Sequence, residues 1–383
     1  MIAATYTQNE MFRIEDVPVP DIAADELLVK VMASSICGTD MRVIRNGHRK
    51  LAPKQKLILG HEFAGIIVKV GKRQTIFHEG QRIGVAPNIG CGQCDMCVRG
   101  LPNMCPDYTA FGITFDGAHT EYVRIPAAAI AQGSVHPLPD GLLFAHASLI
   151  EPLSCVVNGN RAARIEMGDT VVVFGAGPIG LMHLMLARLS GAAKVIVVDV
   201  QTHRLNQAAT LGASSTVNSA EEDLREHVLS ETAGRGANVV ITACAVPAVQ
   251  EQSLGLLAPF GRACFFGGLP KDGSLVRLDT NIVHYKQLLL TGVTGGSPSD
   301  FRTALTLIAS GRINIEKIVS RSFPMTDLAN AFDLALKGES LKIVLRQEET
   351  VGEAIKKRID GMSDVSSSLI TGLPAESEEA IIP

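Results

Sequence analysis

Val171-Val172-Val173-Phe174-Gly175-Ala176-Gly177-Pro178-Ile179-Gly180 governs the reading of this chain. A β-branched run, Thr170–Phe174, stops at a G-x-G-x-x-G turn, and a helical stretch, Leu181–Ser190, follows. Gly175 permits the tight turn, Gly177 lets backbone approach a pyrophosphate, and Gly180 lets helix and strand pack closely. The helix N-terminus opening there offers free N–H groups to phosphate. A second strand, Lys194–Val198, leads to Asp199, about twenty residues past the last glycine. An acid at that place bonds a ribose 2′-hydroxyl and repels a 2′-phosphate, so NAD is expected over NADP. Arg204, a cation able to meet a phosphate, is the counter-feature.

Downstream, the alternation continues: Arg204–Leu211 (helix), Val239–Thr242 (strand), Val249–Leu257 (helix), Arg262–Phe266 (strand). Alternating strand and helix predict βαβ units and a parallel sheet. Upstream, residues 1–150 read as short strands and loops, with Leu27–Val31 and Ala64–Val70 as strands and Pro18, Pro20, Gly71, Gly80 and Gly84 as punctuation. Beyond about residue 292 come a helix over Phe301–Ser310, the segment Ile318–Phe323, and a helix over Leu328–Leu336 with Thr326-Asp327 as its cap. Lys342–Leu345 reads as a last strand. Gln347–Asp360 suits one more amphipathic helix, and Ser363–Pro383 is Ser/Glu-rich, a composition of loose order.

At 383 residues the chain exceeds what one core serves, so two domains are expected. The net charge of −4, with no Lys/Arg block, argues against nucleic acid or an acidic membrane as partner. The apolar runs are strand-length, too short to span a bilayer. The N-terminal stretch lacks a signal-type apolar core, so a cytoplasmic location is the default expectation.

Of eight cysteines, four fall in Cys91-x2-Cys94-x2-Cys97-x7-Cys105. Two-residue gaps let successive thiolates face one ion from a tight loop, and four thiolates close a tetrahedral zinc site. Such a site is structural, because no position remains for substrate. Four buried unpaired cysteines and an iron–sulfur cluster are the competing readings. Cys155, Cys244 and Cys264 read as buried fillers. A second set, Cys37-Gly38-Thr39-Asp40, Gly60-His61-Glu62 and Glu151-Pro152, combines thiolate, imidazole and carboxylate. That donor set fits a catalytic zinc with one position open. Each piece alone is weak; together, with the cysteine lobe between them, they support one another.

These residues together resemble the zinc-containing medium-chain dehydrogenase/reductase family over about residues 10–346. Cys37-Gly38-Thr39-Asp40, His61-Glu62 and Ile150-Glu151-Pro152-Leu153-Ser154 are most similar to its sorbitol (polyol) and threonine dehydrogenase branch. The resemblance implies an α/β protein. A mainly β GroES-like catalytic domain (1–154 and 293–346) would be interrupted by a Rossmann doubly wound parallel-sheet domain (155–292), with 347–383 as an extension. It implies two zincs per subunit and NAD. Cys37, His61 and a glutamate, Glu62 or Glu151, would hold the catalytic zinc, and Thr39 would relay the substrate proton. Gly175, Gly177, Pro178, Ile179, Gly180, Asp199 and Arg204 would contact the dinucleotide. Gly267-Gly268-Leu269 and Val293-Thr294-Gly295 would lie beside the nicotinamide. The activity implied is hydride transfer between NAD and a secondary alcohol, polyol or sugar-like, in a homo-oligomer, dimer or tetramer.

Two departures fall near the implied substrate pocket. Arg42 stands where relatives often carry His, and the Arg-aromatic pair that sorbitol dehydrogenases place near Gly295-Gly296 is missing. Threonine, cyclitol or polyol-phosphate oxidation is the alternative, with Arg42, His48 and Arg49 available to a phosphate or carboxylate. A non-catalytic NAD(H)-binding protein of the same fold is the alternative of another class, and retention of Cys37, His61, Glu62 and Glu151 argues against it. His119 is a candidate for facing substrate, and His183 reads as a packing residue.

Overall fold

The computed structural model describes residues 1–347 except 9, 10, 49, 271, 272 and 339. Arg49, the Ser/Glu-rich tail and the expected helix from residue 348 onward therefore lie outside the described residues. Met1–Arg346 form one compact unit.

The dinucleotide motif opens a six-stranded sheet: β1 (Thr170–Phe174), β2 (Lys194–Asp199), β3 (Ser215–Asn218), β4 (Ala237–Thr242), β5 (Leu257–Phe265) and β6 (Leu289–Gly292). Their spatial order is β3-β2-β1-β4-β5-β6, every pair parallel. Helices cover both faces, so Val171–Val173, Val195–Val197 and Val239–Ile241 are fully buried and read as continuous apolar runs. The order reverses between β1 and β4, the switch point at which such sheets bind ligands.

Several boundaries shift from expectation. The helix after the glycine turn is Pro178–Leu189, three residues earlier than read, because Pro178 is preorganised for a first helical position. The helix expected over Val249–Leu257 is Pro247–Ser253, followed by a 3-10 turn, Leu254–Leu256; Leu257 already belongs to β5. A register shift opposite β5, with Phe260 at φ 58°, breaks its pattern and hid its first half. Strands β3 and β6 and the helices Leu224–Glu231 and Thr280–Lys286 went unread, although Asp223 and Asp279 cap those helices by accepting from Glu226 N and Asn281 N. Asp327 occupies the N-cap position of Leu328–Lys337 but makes no side-chain cap bond.

The other large sheet is mainly antiparallel. Its centre is Leu27–Ser35, flanked by Glu62–Val70 on one side and Lys342–Arg346 on the other. Register places Ser35 opposite both Glu62 and Val344. The last described strand is thereby brought back onto the first third of the chain. Among the described residues no helix is long and apolar enough to cross a membrane.

His183 lies fully buried against Phe266, ring centroids 4.7 Å apart, where a Cβ on Gly159 would meet it at 2.9 Å. It is a packing residue, as read. Burial pushes it down to about 3; burial, then Arg302, pushes His136 down to about 4. Both lie below the ordinary 6.5 of an unfolded histidine, so the unfolded chain takes up protons first as pH falls. Their contribution is complete above about pH 6.5 and is lost on acidification. Stability should fall by about 1.4 kcal/mol per pH unit per histidine between about pH 6 and pH 4. Denaturant unfolding at pH 7, 6 and 5 reads this slope, and His183→Leu should remove about half of it.

Candidate active site

Cys37 sits at the N-cap of the helix Gly38–Asn46 in extended conformation. The helix starts there because Asp40 closes a capping box, its Oδ2 accepting from Cys37 N at 2.9 Å. Thr39 N donates to Cys37 Sγ at 3.4 Å. His61 follows Gly60, whose φ of 100° suits glycine alone, and whose Cβ would strike His119 at 2.7 Å. Glu62 begins the strand Glu62–Val70. The Cys37 thiol, a His61 ring nitrogen and a Glu62 carboxylate oxygen all lie within 4.8 Å of one another. Thiolate, imidazole and carboxylate converging on one point form the donor set of an open zinc site.

Glu62 is fully buried and held by Lys342, whose Nζ donates to Oε1 at 2.6 Å and also to Oε2; the Ser35 hydroxyl donates to Oε2 as well. Lys342 Nζ also donates to Ile36 O at 3.2 Å. Burial pushes the Lys342 ammonium down, but Glu62 and Cys37 outweigh it and hold its pKa above the ordinary value. Glu151 lies in the first turn of the helix Ile150–Ala162 rather than on a loop, and accepts from Cys155 Sγ at 3.4 Å. Burial raises its pKa, with His61 pulling the other way. The two glutamates thus differ: Glu62 belongs to the Cys37–His61 cluster and carries its own counter-cation, whereas Glu151 lies outside that cluster.

Asp40 is buried between His61 and His119. Burial pushes its carboxyl up, but His119 and His61 prevail and hold it far below the usual carboxylate range. His119, a candidate for facing substrate, is fully buried and is not among the residues that line the cleft. Sequence reasoning passed over Lys342 altogether. Its signal was one cation inside the apolar run Leu341-Lys342-Ile343-Val344-Leu345.

The thiols of Cys91, Cys94, Cys97 and Cys105 lie within 4.8 Å of one another. Backbone N–H groups of Gln93 and Cys94 draw the Cys91 thiol down to about 6. Gly90 is required, since a Cβ there would meet Cys97 Sγ at 2.3 Å. Four converging thiols supply the complete ligand set of a closed zinc site.

A cleft of about 990 Å³ joins the two sheets. Its lining includes Cys37, Thr39, His61, Glu62 and Glu151 together with Gly177, Pro178, Ile179, Arg204, Gly267, Gly268, Val293, Thr294 and Gly295. Space in front of Gly177 is open, with nothing within 4 Å of where a Cβ would stand, as close approach of a pyrophosphate requires. Gly175, Gly180, Asp199 and Leu269 do not form its walls. Gly180 serves packing, its Cβ position 1.7 Å from Gly175 O. Asp199 accepts from Ala176 N at 2.7 Å through Oδ2 and from Val200 N and Gln201 N through Oδ1. Arg204 Nη2 donates to Gly338 O at 3.0 Å.

Residues 23–140 match the alcohol dehydrogenase GroES-like domain, and residues 178–310 match the zinc-binding dehydrogenase domain. The chain belongs to the zinc-binding dehydrogenase family. It is 35% identical to L-threonine 3-dehydrogenase of Bacillus licheniformis, over 86% of this chain and 94% of the relative. It is 31% identical to sorbitol dehydrogenase of Bacillus subtilis, over 90% and 97%. A protein of Sinorhizobium meliloti 1021, assigned as a zinc-binding dehydrogenase and solved with NADP bound, superposes with a TM-score of 0.82 at 31% identity, covering 90% and 98%. The α/β architecture, with its GroES-like part and Rossmann sheet, is therefore that of this family. As a zinc-binding dehydrogenase the protein is an oxidoreductase that exchanges hydride between a small-molecule alcohol and a nicotinamide cofactor, with zinc.

Proposed function

We propose that this dehydrogenase interconverts a secondary alcohol and a ketone on a polyol or sugar-like substrate, with NAD. The observation that carries the reading is that one cleft is lined both by the Cys37–His61–Glu62 donor set and by the glycine turn with the Val293–Gly295 loop. Cys37, His61 and Glu62 would hold the catalytic zinc, with Glu151 beside them as an exchanging carboxylate. Cys91, Cys94, Cys97 and Cys105 would hold the structural one. When bound, zinc supplies Lewis acidity that favours the alkoxide and the nicotinamide supplies the hydride acceptor. Thr39, whose hydroxyl accepts from Arg42 Nη2 at 3.4 Å, would take up the alcohol proton and pass it outward. Gly177, Pro178 and Ile179 would cradle the pyrophosphate, while Gly267, Gly268 and Val293-Thr294-Gly295 would flank the nicotinamide. A charged Asp199 at the end of β2 opposes a 2′-phosphate, and Arg204 is tied to Gly338 O, so NAD is preferred.

The division into 1–154 with 293–346, 155–292 and 347–383 belongs to this proposal. Its first boundary falls within the helix Ile150–Ala162, which joins the catalytic wall to the Rossmann sheet. Closure of the two parts would exclude water. A cytoplasmic homo-oligomer, dimer or tetramer, completes the reading.

A specific observation favours a second substrate reading. Arg42, His48 and Lys50 all line the cleft, and among the described residues its carboxylates are Glu62 and Glu151 at the zinc set. A cationic wall suits a phosphate or carboxylate, as on a polyol phosphate or L-threonine. Following reduced nicotinamide across polyols, cyclitols, polyol phosphates and L-threonine tests both. Turnover confined to anionic substrates, and lowered about tenfold or more in kcat/KM by Arg42→Ala, selects the second. Turnover of neutral polyols indifferent to Arg42→Ala selects the first. Silence throughout, with NAD still bound, would reject both substrate readings.

A further inference from the structure

Four buried side chains from separate parts of the chain form a line behind the proposed zinc set. Ser34 Oγ lies 3.1 Å from His119 Nδ1, His119 Nε2 lies 3.1 Å from Asp40 Oδ2, and Asp40 Oδ1 lies 3.6 Å from His61 Nδ1. The His119 main chain is pinned on both sides, its N–H donating to Leu59 O and its carbonyl accepting from Ala4 N. Its ring packs edge-on to Phe332, centroids 5.4 Å apart. An ionised carboxylate only accepts, so the His119 nitrogen facing Asp40 carries hydrogen, and the Ser34 hydroxyl can donate to the other. Asp40 Oδ2 is then held twice, by His119 and by Cys37 N. That leaves Oδ1 aimed at His61 Nδ1, and these two atoms are buried without a hydrogen-bond partner. They form an incomplete pair, short of contact by a few tenths of an ångström.

We propose that His119 is a positioning residue for the catalytic zinc: it anchors Asp40 so that Asp40 fixes the orientation and tautomer of His61. A hydrogen on His61 Nδ1 directed at Asp40 leaves Nε2 as the metal-binding atom. Gly60 serves the same end, because only a residue without Cβ lets the His61 turn lie against the His119 ring. The inference rests on the Cys37–His61–Glu62 assignment made above.

The test is zinc competition against a chromophoric chelator, with cobalt substitution as a spectroscopic check, on the full chain. His119→Phe keeps the ring volume and the Phe332 contact but removes both nitrogens; His119→Gln restores one N–H within reach of Asp40. In His119→Phe the affinity for one of two metals should fall about 10- to 100-fold while the other is unchanged. The absorption of cobalt in the single-thiolate site should shift, and His119→Gln should recover most of the loss. Wild-type affinity for both metals in folded His119→Phe overturns the proposal. So does a parallel loss of both metals with early thermal unfolding, which marks a purely structural role. A wild-type chain that binds only one zinc removes the site assignment itself, and the inference with it.

Discussion

Cys37→Ala should retain its fold and one zinc per chain, and lose turnover by on the order of a thousandfold or more. Lewis-acid stabilisation of developing oxyanion charge is worth several kcal/mol, and about 1.4 kcal/mol corresponds to each tenfold in rate. Cys37 supplies the only thiolate of the Cys37–His61–Glu62 set, and its removal leaves one nitrogen and carboxylate oxygens. An ion held by Cys91, Cys94, Cys97 and Cys105 would lie on a separate lobe and should remain. Zinc content, dinucleotide binding and kcat/KM on the same preparations decide the matter. Cys94→Ala provides the contrast: it should lower thermal stability first, because a closed four-thiolate site contributes folding energy rather than chemistry. Full activity in Cys37→Ala would remove the site assignment.

Lys342→Met should destabilise the chain by about 3–5 kcal/mol, because it strands a buried carboxylate. Lys342 is 4% exposed and Glu62 is fully buried, so water cannot replace the lost ammonium. The Ser35 hydroxyl remains as a donor to Glu62 but carries no charge. Glu62→Gln added to Lys342→Met should recover much of the loss, since the stranded charge is then gone. The penalty should also depend on metal: a divalent cation beside Glu62 compensates the missing ammonium. Denaturant unfolding should therefore show a larger deficit for Lys342→Met after chelator treatment than with zinc. An equal deficit in both conditions would separate Glu62 from the metal and leave Glu151 as the carboxylate ligand.

Most of the architecture was legible because its signals are local. The turn Gly175–Gly180 is a backbone requirement written in six consecutive residues, and the strands around it are buried on both faces, so their apolar runs stand out. The cysteine lobe is likewise a matter of short spacing. The short strands β3 and β6 and the first half of β5 were harder, since mixed polarity at the sheet edge and a break at Phe260 blur the pattern.

By itself, then, the sequence determined the dinucleotide turn, the four-thiol lobe, the candidate ligands and the family. It left two glutamates competing for one metal and His119 as no more than a candidate for facing substrate. Only the tertiary structure decided which carboxylate joins Cys37 and His61, and that Lys342, 280 residues away, neutralises it. It also showed that His119 stands behind the site, 79 residues from its partner Asp40. The physical reason is the pairing of Leu27–Ser35 with both Glu62–Val70 and Lys342–Arg346. Strand register brings Ser35, Glu62 and Lys342 to one buried point, and register between distant strands depends on how whole sheets close rather than on any local run of residues.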